Sequence, residues 1–228
     1  MCNKSYSIHK GHNIFVYFSG LVQCCQGQGE GDHVRTNRIL ALLAFMLIFL
    51  NGCSSATIKN GVEWPIEDFE YTNQNGEPFG LADLKGKVWV ANFIFTNCET
   101  VCPPITANMA RIQRMLEEEG LDKVELVSFS VDPEVDTPDI LKAFASHFTE
   151  DLHNWHFLTG YVQKHIEQFA KENFKFQVYK PEDDDQVIHG TDLFLVNQDG
   201  IIVKYYSALD VPYEELLSDI QILLKQSD

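Results

Sequence analysis

The chain is poor in positive charge. Its 228 residues hold 17 Lys and Arg against 33 Asp and Glu, so the cationic footprint by which proteins neutralise phosphates is missing and nucleic acid is not an expected partner. It also lacks any apolar run of the roughly 18 residues that suggest a spanning helix, since the longest, residues 39–50, falls well short. No internal repeat is visible. Cysteine is sparse beyond the N-terminus: of Cys2, Cys24, Cys25, Cys53, Cys98 and Cys102, only the last two lie in the long globular stretch.

What stands at the N-terminus is a processing signal. The apolar run is preceded by Arg35 and Arg38 and ends in Leu50-Asn51-Gly52-Cys53-Ser54-Ser55, which fits a signal-peptide h-region followed by a lipobox. Asn51 departs from the small or apolar residue usual there. Residues 34–53 are therefore read as a lipoprotein signal peptide with Cys53 as the lipidated residue, and residues 54–61 as a short linker. Residues 1–33 form a leader of uncertain status, and Val34 is a candidate alternative start. Removing residues 1–53 takes away Lys4, Lys10, Arg35 and Arg38 with Glu30 and Asp32, leaving 13 basic and 31 acidic residues and a net charge of −18. Export places the Cys98 and Cys102 thiols in an oxidising compartment, on the extracytoplasmic side of the cell membrane.

Residues 62–228 read as one α/β domain, strands alternating with helices. Phe69-Glu70-Tyr71-Thr72 and Glu77-Pro78-Phe79 flank an Asn-Gly turn and predict a hairpin. Residues 87–95 are apolar, β-branched and aromatic apart from Lys87 and Asn92, so a strand buried on both faces is expected. Ile105, Met109, Ile112 and Leu116 repeat at helical spacing up to Gly120, a C-cap signal. A second core strand is expected over residues 124–131, and after it Thr137 caps a helix with Pro138 at its first position, burying Ile140, Leu141, Phe144 and Phe148. A further helix is predicted over residues 161–172, then antiparallel strands either side of Asn197-Gln198-Asp199-Gly200. A last helix from Pro212 buries Leu216, Leu217, Ile220 and Leu224. The one charge run, Glu182-Asp183-Asp184-Asp185, is read as a solvated loop tip, or as an acidic rim attracting a cation or a basic partner.

Chemistry concentrates in Cys98-Glu99-Thr100-Val101-Cys102-Pro103, which follows the buried strand and opens a helix. Free N–H groups and the helix dipole favour thiolates there, and a spacing of four sets both Cys on one helical face, able to meet at one metal or at each other. Two thiolates joined by one imidazole make a soft donor set that suits copper, whereas a structural zinc site takes a fourth protein ligand. No third Cys is present in the domain.

These residues resemble the Sco/SenC family of copper-binding assembly proteins. The likeness runs from about residue 62 to residue 224 and rests on Phe95-Thr96-Asn97-Cys98-Glu99-Thr100-Val101-Cys102-Pro103, Val131-Asp132-Pro133-Glu134-Val135-Asp136-Thr137-Pro138, Val187-Ile188-His189, and Phe194-Leu195-Val196 before Asp199-Gly200. Glu99 departs from the Pro found in many members. The resemblance implies a thioredoxin-like fold with peroxiredoxin-type additions, one copper ion per chain on Cys98, Cys102 and His189, and a role in building the dinuclear copper site of cytochrome c oxidase. It places Thr191 where thioredoxin-fold oxidoreductases carry a cis-Pro. The implied partners are the oxidase's copper-site subunit and a thiol–disulfide reductant. A second role is implied as an alternative, in which Cys98 and Cys102 form a redox-active disulfide and act as a reductase on the oxidase's copper-ligand cysteines. Peroxidase chemistry is not expected, because Glu99 and Phe95 stand where a peroxiredoxin aligned on Cys102 requires Thr or Ser and Pro. His147, His153, His156 and His165 are read as surface or hydrogen-bonded histidines.

Overall fold

A computed structural model describes residues 57–121 and 123–226. The leader, the signal peptide and Cys53 lie outside the described residues. Among the described residues no helix is long and apolar enough to cross a membrane. Eight strands form one sheet: β1 (Trp64–Pro65), β2 (Glu70–Asn73), β3 (Pro78–Gly80), β4 (Trp89–Ile94), β5 (Glu125–Ser130), β6 (Trp155–Thr159), β7 (Asp192–Val196) and β8 (Ile201–Ser207), in the order β1-β8-β7-β4-β5-β6-β2-β3. The centre, β4-β5-β6, is parallel, and every other pairing is antiparallel. The helices are α1 (Leu81–Leu84), α2 (Cys102–Glu118), α3 (Pro138–Ala145), α4 (Gln163–Phe169), which continues into a π-turn at Ala170–Phe174, and α5 (Tyr213–Lys225).

Every residue of β4 and β5 is buried, so both faces of the central strands are covered, as the largely apolar run at residues 87–95 predicts for β4. One polar link joins them: Ser128 donates to the side-chain carbonyl oxygen of Asn92 at 2.6 Å and accepts from the Trp155 indole at 2.9 Å. The Asn73 side chain accepts from the N–H groups of Asn75 and Glu77 at 2.8 and 3.1 Å, while Gly76 supplies the positive φ of +79° that closes the β2–β3 hairpin.

Several details differ from expectation: β1, α1 and the central strand β6 were not predicted, and Phe144 and Phe148 are half-buried rather than buried. Ile140 is 41% exposed while Leu141 and Ala145 are buried, because Thr137 caps the helix through the Ile140 N–H and turns that first-turn side chain outward. The helix over residues 161–172 divides into α4 and the π-turn, whose extra residue is plugged by Asn173: its side chain donates to the Phe169 carbonyl at 3.0 Å and accepts from the Glu67 N–H at 2.7 Å. In α5 the fully buried positions are Leu216, Asp219, Ile220 and Leu223, with Leu217 and Leu224 half-buried. Asp219 occupies the apolar stripe because Lys204 of β8 meets it at 2.6 Å and the Tyr206 hydroxyl donates to it at 2.8 Å.

Candidate metal centre

The parallel strands β4, β5 and β6 end at the same edge of the sheet, and the site is built on the loops that leave it. β4 hands on to Phe95, a turn at Thr96 and Asn97, and buried Cys98; α2 begins only at Cys102. Cys98 is therefore not on a helical face with Cys102. Pro103 and Pro104 are the reason: lacking N–H groups they fit only the first helical turn, and a helix starting at Cys98 would put them in its interior. The chain instead bends back so that the Cys102 N–H donates to Cys98 Sγ at 3.3 Å. Both thiols are free.

The two thiols are electrostatically unequal, where the sequence suggested two ready thiolates. Burial works against the Cys98 thiolate, but hydrogen bonds from Cys102 and from the backbone of Thr100 and Val101 outweigh it and hold this thiol below its ordinary pKa. Burial pushes Cys102 far above its ordinary value, and the negative charges of Cys98 and Asp136 add to the effect.

His189 reaches the pair from the segment between α4 and β7. Tyr179 and Ile188 bond backbone to backbone there, both N–H···O distances being 2.9 Å, and Phe176 anchors the segment against Phe93 and Phe194, ring centroids 4.7 and 5.9 Å away. The Phe176 ring lies where a side chain at position 190 would sit, an added Cβ meeting it at 3.1 Å, so glycine is what lets the chain pass. The His189 Nδ1–H donates to the Gly190 carbonyl at 2.7 Å. That contact leaves Nε2 with a lone pair, and burial lowers the imidazole pKa so that the neutral ring is favoured. Nε2 faces Cys102 Sγ at 3.6 Å.

That distance tests the metal reading. Two ligands on a tetrahedral ion with bonds of about 2.3 Å to sulfur and about 2.0 Å to imidazole nitrogen stand about 3.5 Å apart. Cys102 and His189 already hold that spacing, with the tautomer fixed by the outer hydrogen bond as a metal-binding imidazole requires. Among the described residues no three His, Cys, Asp or Glu side chains converge as a finished cage. The Cys98 sulfur is turned to the Cys102 N–H and would have to rotate away from it to join Cys102 and His189 on one ion.

Two carboxylates hidden from sequence reasoning hold these loops. Asp136, buried, accepts from the Thr96 hydroxyl at 2.5 Å, the Thr96 N–H at 3.2 Å and the Ser130 hydroxyl at 2.6 Å, and burial raises its pKa. Asp132 pairs with Lys180 at 2.7 Å, lashing the His189 segment to the same turn. Gln186 donates to the Asn97 carbonyl at 3.3 Å, which sets residues 182–185 beside the Cys98 loop. Both carboxylates lie in the Val131–Pro138 signature, so they were visible as a motif, but apart from nearby Ser130 the partners that matter, Thr96 and Lys180, lie 40 and 48 positions away and left no local signal. Of the other described histidines, His156 bonds to Glu125 at 2.9 Å, His165 to the Tyr71 hydroxyl at 2.8 Å and His153 to Asp151 at 2.9 Å, while His147 is exposed.

A thioredoxin-like α/β domain with a dithiol and one imidazole at the end of its central strands is the class this fold and site define. A family model described as SCO1/SenC matches residues 61–225, and the chain belongs to that family. A SCO1/SenC family lipoprotein from Bacillus anthracis is 53% identical, with a TM-score of 0.72 over 74% of this chain and 99% of its own. BsSco, described as a member of the Sco family of cytochrome c oxidase assembly proteins in which a disulfide switch was identified, is 46% identical, with a TM-score of 0.68 over 74% of this chain and 98% of its own. Copper-bound ScoI of Bradyrhizobium japonicum is 26% identical, with a TM-score of 0.59 over 70% of this chain and 99% of its own.

Proposed function

We propose that this chain binds one copper ion through Cys98, Cys102 and His189, carries it at the extracytoplasmic face of the membrane on a lipid attached to Cys53, and delivers it to the dinuclear copper site of cytochrome c oxidase. The observation that carries the reading is the Cys102–His189 pair, at ligand spacing with its Nε2 lone pair directed at sulfur. The copper held by the ScoI relative and the lipoprotein nature of the Bacillus anthracis relative support it. Cys98 completes the set by turning its sulfur from the Cys102 N–H toward the ion, and both thiols give up their protons on binding.

The deciding experiment is a copper(II) titration of the purified protein with an optical spectrum. One equivalent should bind to the reduced protein with a thiolate-to-copper charge-transfer band, and none to the oxidised protein. Equal affinity in the two redox states would rule out Cys98 and Cys102 as joint ligands.

A second reading is favoured by the inequality of the thiols and by the disulfide switch of BsSco. The Cys98 thiolate attacks a partner disulfide, one partner sulfur leaves and takes up a proton, and Cys102, losing its proton, attacks Cys98 Sγ to release the second partner thiol. Two electrons pass to the partner and this chain is left with a Cys98–Cys102 disulfide. His189→Ala separates the roles: copper binding should weaken sharply and assembly of the oxidase copper site fail while disulfide exchange persists. Full oxidase activity in His189→Ala cells, with loss in Cys98→Ser or Cys102→Ser, would leave only the reductase.

A further inference from the structure

Among the described residues six large hydrophobic side chains are exposed, and five of them, Ile140, Val162, Tyr179, Ile188 and Leu209, sit at the sheet edge that carries the dithiol. Ile140 is in the first turn of α3, reached from the end of β5, and Val162 caps α4, reached from the end of β6. Leu209 follows β8 directly after Ala208, whose N–H donates to the Thr191 carbonyl at 2.9 Å. Tyr179 and Ile188 form a directly hydrogen-bonded antiparallel pair, so their side chains stand together on one face, 57% and 64% exposed and next to His189. The sixth, Tyr205, stacks on Trp64 at 5.6 Å and is already covered in part. Scattered exposed apolar residues need no explanation, but their collection at one end marks a contact surface.

The same end is acidic, and its acids have no cationic partner, although Asp184 and Asp185 accept hydrogen bonds from Gln186. None of Glu182, Asp183, Asp184 or Asp185 makes an ion pair, and all four are exposed. The nearby Lys180 is spent on Asp132 and Glu134. Carboxylates of this kind repel anionic lipid headgroups and a second copy of the same tip, and attract cations fixed on another protein.

We infer that the apolar end face around His189, with the acidic tip of residues 182–185, is the docking surface for a protein partner that presents Lys and Arg around an apolar copper-site face. The inference rests on the delivery reading and names the partner chemistry that reading needs. The acidic tip steers the encounter and sets its rate; Tyr179, Val162 and Ile188 exclude water around the dithiol and set how long the complex lasts.

The test uses the full-length protein in detergent and, as probe, the purified copper-site subunit of the same cell's cytochrome c oxidase. Glu182→Gln/Asp183→Asn/Asp184→Asn/Asp185→Asn should slow association about tenfold at low salt, abolish most of its salt dependence, and leave one copper bound per chain. Charge reversal to Lys at the four positions should slow association further. Val162→Ser/Tyr179→Ser should instead speed dissociation about tenfold with the salt dependence intact. Unchanged association rate and salt slope in both tip variants, or no association of the wild-type protein with the subunit, would overturn the docking surface. So would a dimer of the wild-type chain that Val162→Ser/Tyr179→Ser dissociates, because the patch would then belong to a second copy. Failure of the delivery reading appears separately, as His189→Ala cells with full oxidase activity.

Discussion

At the scale of single residues the site works by making two chemically identical thiols unequal. Cys98 accepts hydrogen bonds that favour its thiolate, whereas Cys102 is held protonated by burial and by the charges of Cys98 and Asp136. Alkylation by iodoacetamide should therefore show a fast phase that titrates below the ordinary thiol range, absent in Cys98→Ser and retained in Cys102→Ser. The linkage signs are opposite. Cys98, with its folded pKa below the unfolded one, contributes stability that is present above the unfolded value and lost as pH falls through the folded value; Cys102, with its folded pKa raised, costs stability as pH rises through the ordinary thiol range. Asp136→Ala strips partners from the Thr96 N–H and the Ser130 hydroxyl, and should destabilise the fold by about 2–4 kcal/mol in urea unfolding. A loss below about 0.5 kcal/mol would show that water replaces the carboxylate.

At the scale of elements, what matters is how loops that carry donors are braced by strands that carry none. The His189 segment is wedged by Phe176 against β4 and β7, and Gly190 must stay small beneath that ring. Gly190→Ala should weaken copper binding by more than tenfold while urea unfolding changes by less than about 2 kcal/mol; unaltered copper affinity would show that the ring yields instead. Far from the site, β8 and α5 are joined by Lys204 with Asp219 and Glu215, at 2.6 and 2.7 Å. Lys204→Ala leaves the Asp219 charge buried with only the Tyr206 hydroxyl, and should cost roughly 3–5 kcal/mol without changing the copper stoichiometry.

At the scale of the whole molecule, the proposed copper site makes the ion a ligand of the native state alone, so saturating copper should raise the melting temperature of the reduced protein; at a hundred times Kd the gain is about 2.7 kcal/mol. The same copper excess should leave the oxidised protein unmoved. Cys53→Ala tests the tether, because the expected result is release from membranes or an uncleaved precursor, and a mature-sized variant that still partitions with membranes would disprove lipidation at that thiol. The strands β2 to β5, β7 and β8, the longer helices, the Asn-Gly hairpin and the Thr137 cap were legible in the chain itself, and Cys98, Cys102 and His189 stood out as candidates, because periodicity, turn residues and side-chain chemistry are local or belong to a recognisable motif; the short β1 and α1 and the central strand β6 were not. Tertiary structure alone decided that α2 starts at Cys102, that Ile140 faces solvent, that one thiol is favoured as thiolate and the other suppressed, and that Asp136 and Lys180 brace the two donor loops. Those facts depend on desolvation and on partners dozens of positions apart, and both come into being only when the sheet brings its loops to one edge.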